Sequence, residues 1–98
     1  MKVVDDDTEQ TVGHLVEIGL TGLRLETIAP LAPGKDYHLR MELTPEVSAK
    51  LFMFFSARTK WCKIDNIQPN LYQVGFQITG MEPGDREIYQ RLVEMYGE

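Results

Sequence analysis

The sequence predicts an all-β protein with one C-terminal helix, folded as an antiparallel sheet or a small barrel. From Gly13 onward, apolar and polar residues alternate in short stretches that glycines and prolines interrupt. A period of two is typical of half-buried strands. After Gly80 the apolar residues change to helical spacing. About five strands followed by one helix, without repeated β-α alternation, favour antiparallel pairing.

The first two predicted strands form a hairpin. Residues 14–18 alternate as one strand, and residues 19–22 form a tight turn with a glycine at each end, where we expect positive φ. Residues 23–27 return as the second strand. Its two leucines lie on one face, with Arg24 and Glu26 on the other.

A proline-rich loop precedes the clearest strand. Residues 29–34 contain two prolines and a glycine, which remove ladder donors and fix turn dihedrals. Residues 37–43 then alternate strictly and predict the third strand. Thr44 and Pro45 resemble a helix start, but only a short helical turn or a loop fits before Leu51.

Residues 51–64 are long enough for a bent strand. Alternation places Trp61 on the same face as Ala57 and Thr59. We therefore expect Trp61 in the core, with base stacking as the alternative.

The last predicted strand follows a turn at residues 65–70 and covers residues 72–78. Gly75, inside this strand, indicates a bulge or close packing by a neighbour. The helix that follows has Asp85 as its candidate N-terminal cap and Gly97 as its end. Its apolar stripe of about three turns must cover a sheet face or a barrel end.

The length of 98 residues allows one domain. Hydrophobic residues make up 43% and charged residues 26% of the chain, which is ordinary for a folded domain. We divide the chain into an acidic N-terminal tail over residues 1–12 and a single domain over residues 13–98.

Negative charge is concentrated near the N-terminus. The chain carries fifteen Asp and Glu against ten Lys and Arg, for a net charge of −5. The first 17 residues hold five acids and one base, and the first arginine is Arg24. A nucleic-acid polymer is not an expected partner, because such binders cluster Lys and Arg.

Three further features predict a cytoplasmic protein without membrane insertion. The longest apolar run, residues 51–55, is far shorter than the roughly 20 residues of a membrane span. Residues 1–7 lack the basic and apolar regions of a secretory signal. Cys62 is the only cysteine, so an internal disulfide is excluded.

The sequence contains few residues in arrangements that could support catalysis. His14 and His38, the only histidines, lie on predicted strands without metal-ligand spacing. Cys62 lacks a helix start that would activate it, and the acidic triplet at residues 5–7 lacks the rest of a calcium loop. We expect no enzyme activity, no catalytic residue, no metal site and no obligatory cofactor.

Several segments together resemble a known family. A turn over residues 17–22 precedes a Leu-Arg-Leu strand, and Pro33-Gly34 opens an alternating strand. The segments Ala-Arg-Thr-Lys-Trp, at residues 57–61, and Tyr-Gln-Val-Gly-Phe, at residues 72–76, follow before the helix near Asp85. This order resembles the PilZ domain, a bacterial six-stranded antiparallel β-barrel with a C-terminal helix. The resemblance covers most of the chain and implies a cytoplasmic signalling domain that senses cyclic di-GMP.

Ligand recognition in that family rests on two motifs. The first, R-x-x-x-R, precedes the barrel, and no arginine precedes Arg24 here. The second, D/N-x-S-x-x-G, corresponds to Glu17, Gly19 and Gly22, of which only Gly22 matches. The acids of the N-terminal segment, where the resemblance places the arginines, are expected to repel a ligand with two phosphates. Cyclic di-GMP is thus implied by the family, while the residues argue against tight binding.

We consider three functions. Two are binding functions, and the third, an enzyme, has the least support. The first is a signalling or motility module that binds another protein. Its candidate contacts are exposed parts of residues 51–55 and of the helix; the side chains are Phe52, Phe54, Tyr89 and Tyr96. A homodimer seam explains the apolar run equally well.

The alternative is a cyclic di-GMP receptor that uses non-standard contacts. These would come from Glu17, Gly22 and Arg24, or from arginines of a partner. A small hydrolase or metal-dependent enzyme has no triad, phosphate loop or ligand cluster to support it.

Overall fold

The computed structural model describes residues 1–97, in which six strands precede one helix. The strands are β1 (Lys2–Asp5), β2 (Thr11–Ile18), β3 (Gly22–Thr27), β4 (Asp36–Glu42), β5 (Phe52–Ile64) and β6 (Tyr72–Gly80), and the helix is α1 (Pro83–Tyr96).

All strand pairs are antiparallel and close a barrel in the order β1-β2-β3-β6-β5-β4. The prediction of an antiparallel six-stranded barrel with a C-terminal helix is confirmed. Closure matters physically because it pairs strand edges that would otherwise template aggregation.

Residues 2–5, which we assigned to an acidic tail, instead form strand β1 between β2 and β4. Val3 and Val4 explain the difference, since both are buried and help fill the barrel. The Asp5 carboxylate accepts hydrogen bonds from the backbone N–H groups of Asp7 and Thr8, which turns the chain back towards β2. The segment at residues 1–12 is therefore structural rather than a tail.

The barrel interior is filled by apolar side chains from every strand and is closed at one end by α1. Leu92 of α1 is fully buried, and Ile88 is nearly so. They pack with the inward residues of the strands, among them Val3, Leu25, Leu39, Met41, Met53 and Val74. Within residues 1–97, no helix has the length and apolar character that a membrane span requires.

A bulge in β5 changes the predicted face of Trp61. Thr59 pairs with Phe76 and Trp61 pairs with Gly75, so Lys60 is an extra residue opposite β6. The bulge turns Trp61 outward, leaving it 37% exposed, and the expectation that it belongs to the core is wrong. The prediction of a bulge or close packing at Gly75 is confirmed, because a Cβ there would lie 2.2 Å from Trp61 Nε1.

The β2–β3 turn does not use positive φ, contrary to our expectation for its glycines. Among residues 1–97 positive φ occurs at Glu9 and Gly34. Gly22 is needed for a close approach instead, since a Cβ there would lie 2.4 Å from the carbonyl oxygen of Phe76 on β6. Gly19 has no such restriction.

The N-cap of helix α1 lies three residues before the predicted cap. Its N-cap residue, Glu82, makes no side-chain capping bond. Asp85, the residue expected to cap, is buried and accepts a 2.8 Å hydrogen bond from Lys50 Nζ. Gly97 ends the helix as predicted.

Substituting Gly75 by Ala should destabilise the fold by about 1–3 kcal/mol, because the added methyl group must displace the Trp61 indole. In a Trp61→Ala background the same change should cost much less. Urea unfolding of the parent, the two single variants and the double variant measures this coupling. An equal cost in both backgrounds would contradict the packing of Trp61 on Gly75.

Candidate functional site

A surface cavity of about 440 Å³ lies beside the β2–β3 turn. One wall is the hairpin over residues 17–24, and the opposite wall comes from β5 and β6. The four positions predicted from the family motifs all line it; they are Glu17, Gly19, Gly22 and Arg24.

The strand register explains why residues distant in sequence meet at this cavity. Arg24 of β3 pairs with Gly75 of β6, and Gly75 pairs with Trp61 of β5. These residues therefore form one row across three neighbouring strands. Because Gly75 has no side chain, the Trp61 indole occupies the space above it and forms a cavity wall.

Sequence reasoning missed Trp61 and Lys60 as cavity residues. Strict alternation assigned Trp61 to the interior, and only the bulge at Lys60 brings it outside. Gly75 carried the signal, since a glycine inside a strand marks close approach by a neighbour. Lys63 Nζ lies 5.4 Å from the centroid of the Trp61 ring, which places a further cation at this surface.

The cavity contains one arginine, and a carboxylate faces it. Arg24 Nη2 lies 3.5 Å from Glu17 Oε2, and both side chains are partly exposed. Arg24 Nε is buried without a hydrogen-bond partner in residues 1–97. With Lys60, the lining carries two cations and one carboxylate. Lys60 would attract an anion that enters the cavity, whereas Glu17 would compete with that anion for the Arg24 guanidinium.

Tyr89 connects helix α1 to the turn that borders the cavity. Its hydroxyl shares its one proton between the carbonyl oxygens of Gly19, at 2.5 Å, and Gly22, at 3.1 Å. The turn itself is closed by a 2.9 Å hydrogen bond from Gly19 N–H to the Gly22 carbonyl. Burial raises the pKa of Tyr89 to about 12. Any movement of the turn must therefore displace the helix or break these bonds.

The buried position of Tyr89 removes it from the predicted contact surface, because it is only 5% exposed. The other three candidates retain exposure. Tyr96 is about half exposed at the end of α1, and Phe54 is 42% exposed on β5. Phe52 is half-buried beneath Arg40, whose Cζ lies 5.4 Å from its ring centroid.

The acidic residues near the N-terminus lie far from the cavity. Asp6 pairs with Arg40 at 2.8 Å, Glu9 also pairs with Arg40, and Asp7 lies 3.2 Å from His38 Nδ1. Their turn lies at the opposite end of β2 from the cavity, about 20 Å away at strand spacing. The expectation that these acids repel a ligand at the motif positions is wrong, because β1 carries them to the other end of the barrel.

The remaining reactive side chains do not assemble. Within the described part of the chain, no three His, Cys, Asp or Glu residues form a group suited to a metal ion. Cys62 is half-buried and unpaired there.

The structure is thus a small six-stranded β-barrel domain with a surface cavity beside its β2–β3 turn. The sequence matches the PilZ domain family over residues 2–95, and the chain belongs to this family. PilZ domains are regulatory receptors rather than enzymes.

A solved structure shares this fold. The Bacillus subtilis inhibitor of motility, MotI/DgrA, superposes with a TM-score of 0.72 at 14% sequence identity. The match covers 96% of this chain and 45% of that protein, so the chain spans less than half of its neighbour's length. A comparison with curated protein sequences gave no match.

Replacing Tyr89 by Phe should lower the free energy of unfolding by about 1–2 kcal/mol at pH 7, because the turn carbonyls lose their hydroxyl donor. The effect should depend on pH. The unfolded tyrosine ionises near pH 10.0, whereas the folded one ionises near 12. The parent therefore loses about 2 kcal/mol of stability between pH 9 and 11.5 that the variant does not lose. Urea unfolding across this range measures both curves, and parallel curves would contradict the assignment.

Proposed function

We propose that this domain is a regulatory module of bacterial cyclic di-GMP or motility signalling that acts by binding another protein. In this proposal its own affinity for cyclic di-GMP is weak or absent. Membership of the PilZ domain family supports the signalling role, and the structural neighbour is named as an inhibitor of motility. Second-messenger signalling of this kind operates in the cytoplasm, which is the location we propose.

One observation carries the loss of ligand affinity. The cavity at the motif positions offers a single arginine, and the Glu17 carboxylate already faces its guanidinium. In the PilZ family, the two arginines of R-x-x-x-R bind cyclic di-GMP. Their planar guanidinium groups form bidentate hydrogen bonds with guanine edges and phosphates. Each such charged contact is worth about 1.5–3 kcal/mol, so a domain that lacks both arginines binds about 10² to 10⁴ times more weakly.

The second motif is also incomplete, and the space around Gly19 leaves room to restore it. Gly19 supplies no hydroxyl, and Glu17 places its carboxylate one methylene further out than Asp. A Cβ at Gly19 would meet only the Gly22 carbonyl oxygen, at 3.8 Å, which is ordinary contact. A serine therefore fits at this position without displacing the turn.

Isothermal titration of the parent protein with cyclic di-GMP should give no saturable heat at micromolar concentrations. At millimolar ligand, where weak binding by the parent can be compared, the double variant Glu17→Asp/Gly19→Ser should bind at least about tenfold more tightly, since it regains one hydrogen bond and a shorter carboxylate. The variant Glu17→Asp/Gly19→Ala adds the same Cβ without the hydroxyl and serves as the matched control. Saturable micromolar binding by the parent would overturn the proposal.

The cavity also favours a second candidate, a cyclic di-GMP receptor with non-standard contacts. Arg24 Nε has no partner in residues 1–97, and Lys60 and the Trp61 ring border the same space. A cation pair beside an aromatic face suits a phosphate joined to a base. Glu17 and Gly22 would then contribute as predicted, with any missing arginines coming from a partner.

If the parent saturates with cyclic di-GMP, Arg24→Ala and Trp61→Ala should each weaken binding about tenfold or more. Arg58→Ala is the matched control, because Arg58 also lies on the barrel surface but is held by Asp36 at 2.9 and 3.0 Å. Amide chemical-shift mapping should then place the ligand on residues 17–24. Equal weakening by all three variants would contradict binding in this cavity.

A further inference from the structure

We propose that a basic, extended segment of a partner protein docks in a groove beside the first half of β5, which we call the β5 groove. The proposal rests on the proposed function in one respect, namely that the domain acts by binding a protein. The groove does not include any residue of the cavity at the β2–β3 turn.

The first observation is an unpaired strand edge. Strand β5 has thirteen residues and β6 has nine. Pairing between them ends at Ser56 and Gly80, whereas β4 continues along β5 as far as Phe52. The first four residues of β5 therefore have a strand on one edge and, within residues 1–97, none on the other. Such an edge presents main-chain donors and acceptors that an extended peptide can pair with.

The second observation is open space at this edge. A groove of about 380 Å³ lies where β6 leaves β5 and the chain turns into α1. Phe54, Ser56, Gly80 and Glu82 line it, and Asp6 and His38 border it from the β1–β2 turn and β4. Phe54 is 42% exposed, so an apolar ring face is available to an incoming chain.

The charges around the groove determine the chemistry of the occupant. Asp6 and Glu82 line the groove, and Asp7 and Glu9 lie on the same turn as Asp6. Among the ion-pair partners of these four acids in the described residues, Arg40 is the only one with a full positive charge. Asp6 and Glu9 both pair with it. Glu82 makes no ion pair in the described residues. The groove is therefore negatively charged and suits lysine or arginine side chains.

Arg40, beside the β5 groove, already shows how a cation can bind there, between an aromatic ring and carboxylates. Arg40 lies over the Phe52 ring, and the carboxylates of Asp6 and Glu9 contact its edge. Phe54 lies next to Phe52, with ring centroids 6.4 Å apart. A partner's lysine or arginine over Phe54 would find a ring face beneath it and Glu82 beside it.

A second copy of this chain is a poorer occupant. A symmetric dimer through the groove would bring the same acidic residues of both copies together. Like charges facing each other across an interface cost several kcal/mol. The charge pattern therefore favours a partner with basic residues.

The test uses three synthetic ten-residue peptides and amide chemical-shift mapping of the full chain. The first alternates lysine and valine; the second has the same sequence with every backbone nitrogen methylated, which leaves no N–H donor on either edge; the third alternates glutamate and valine. The first peptide should give saturable shifts at residues 52–56 and 80–82, and the other two should bind at least about fivefold more weakly.

Two variants and two matched controls locate the site. Phe54→Ala and Glu82→Lys should each weaken binding of the lysine-valine peptide about fivefold or more. Ile67→Ala removes another exposed apolar side chain, and Glu94→Lys makes the same charge change near the other end of α1; both should bind as the parent does.

Three results would each overturn the docking proposal. They are the absence of saturable shifts in the groove, equal binding of the N-methylated peptide, and parent-like binding by both groove variants. None of these results bears on cyclic di-GMP, whose shifts would fall on residues 17–24. Micromolar binding of that nucleotide would overturn the proposed function and leave the groove result unchanged.

Discussion

The extra residue at Lys60 in β5 determines which side chains reach the cavity. By shifting the pairing with β6 after Thr59, it turns the Trp61 indole from the barrel interior to the surface. Gly75 provides the space that the ring then fills. Without this bulge, Trp61 would compete for room in a small core, and the wall opposite Arg24 would be missing.

The fold was predictable because its elements obey simple periodicities. Alternation identified the later strands, and the change to helical spacing identified α1. Strand β1 escaped prediction because Val3 and Val4 form a short apolar pair beside a run of acids, so composition outweighed pattern. Trp61 was assigned to the wrong face because a single inserted residue reverses alternation, and no local signal marks which residue is inserted.

The candidate site was predictable only in part. The four candidate ligand positions were located through the family resemblance, but Lys60 and Trp61 depend on pairing between strands that are remote in sequence. Tyr89 illustrates the same limit on α1. Its position on the helix suggested a surface contact, whereas its hydroxyl satisfies carbonyl groups of the turn at Gly19 and Gly22. Such long-range polar contacts leave no periodic trace in the sequence.

Helix α1 joins two regions of the barrel. Tyr89 holds the β2–β3 turn, while Lys50 and the Val47 carbonyl, on the segment between β4 and β5, bind Asp85 and Arg91 of the helix. A ligand or partner that displaces either region must act on the same helix. Glu82, the N-cap residue of α1, also lines the β5 groove, so the cavity and the groove share no residue but are both connected to this helix.

The position of β1 brings Met1 and Gly97 to the same strand, β2. The Met1 carbonyl accepts a hydrogen bond from Leu15 N–H, and the backbone at Gly97 approaches the Ile18 carbonyl on the same strand. Met1 and Tyr96 also border one shared cavity. Because Met1 and Gly97 both lie against the last residues of β2, this part of the strand fixes the start of β1 and the end of α1 at the same time.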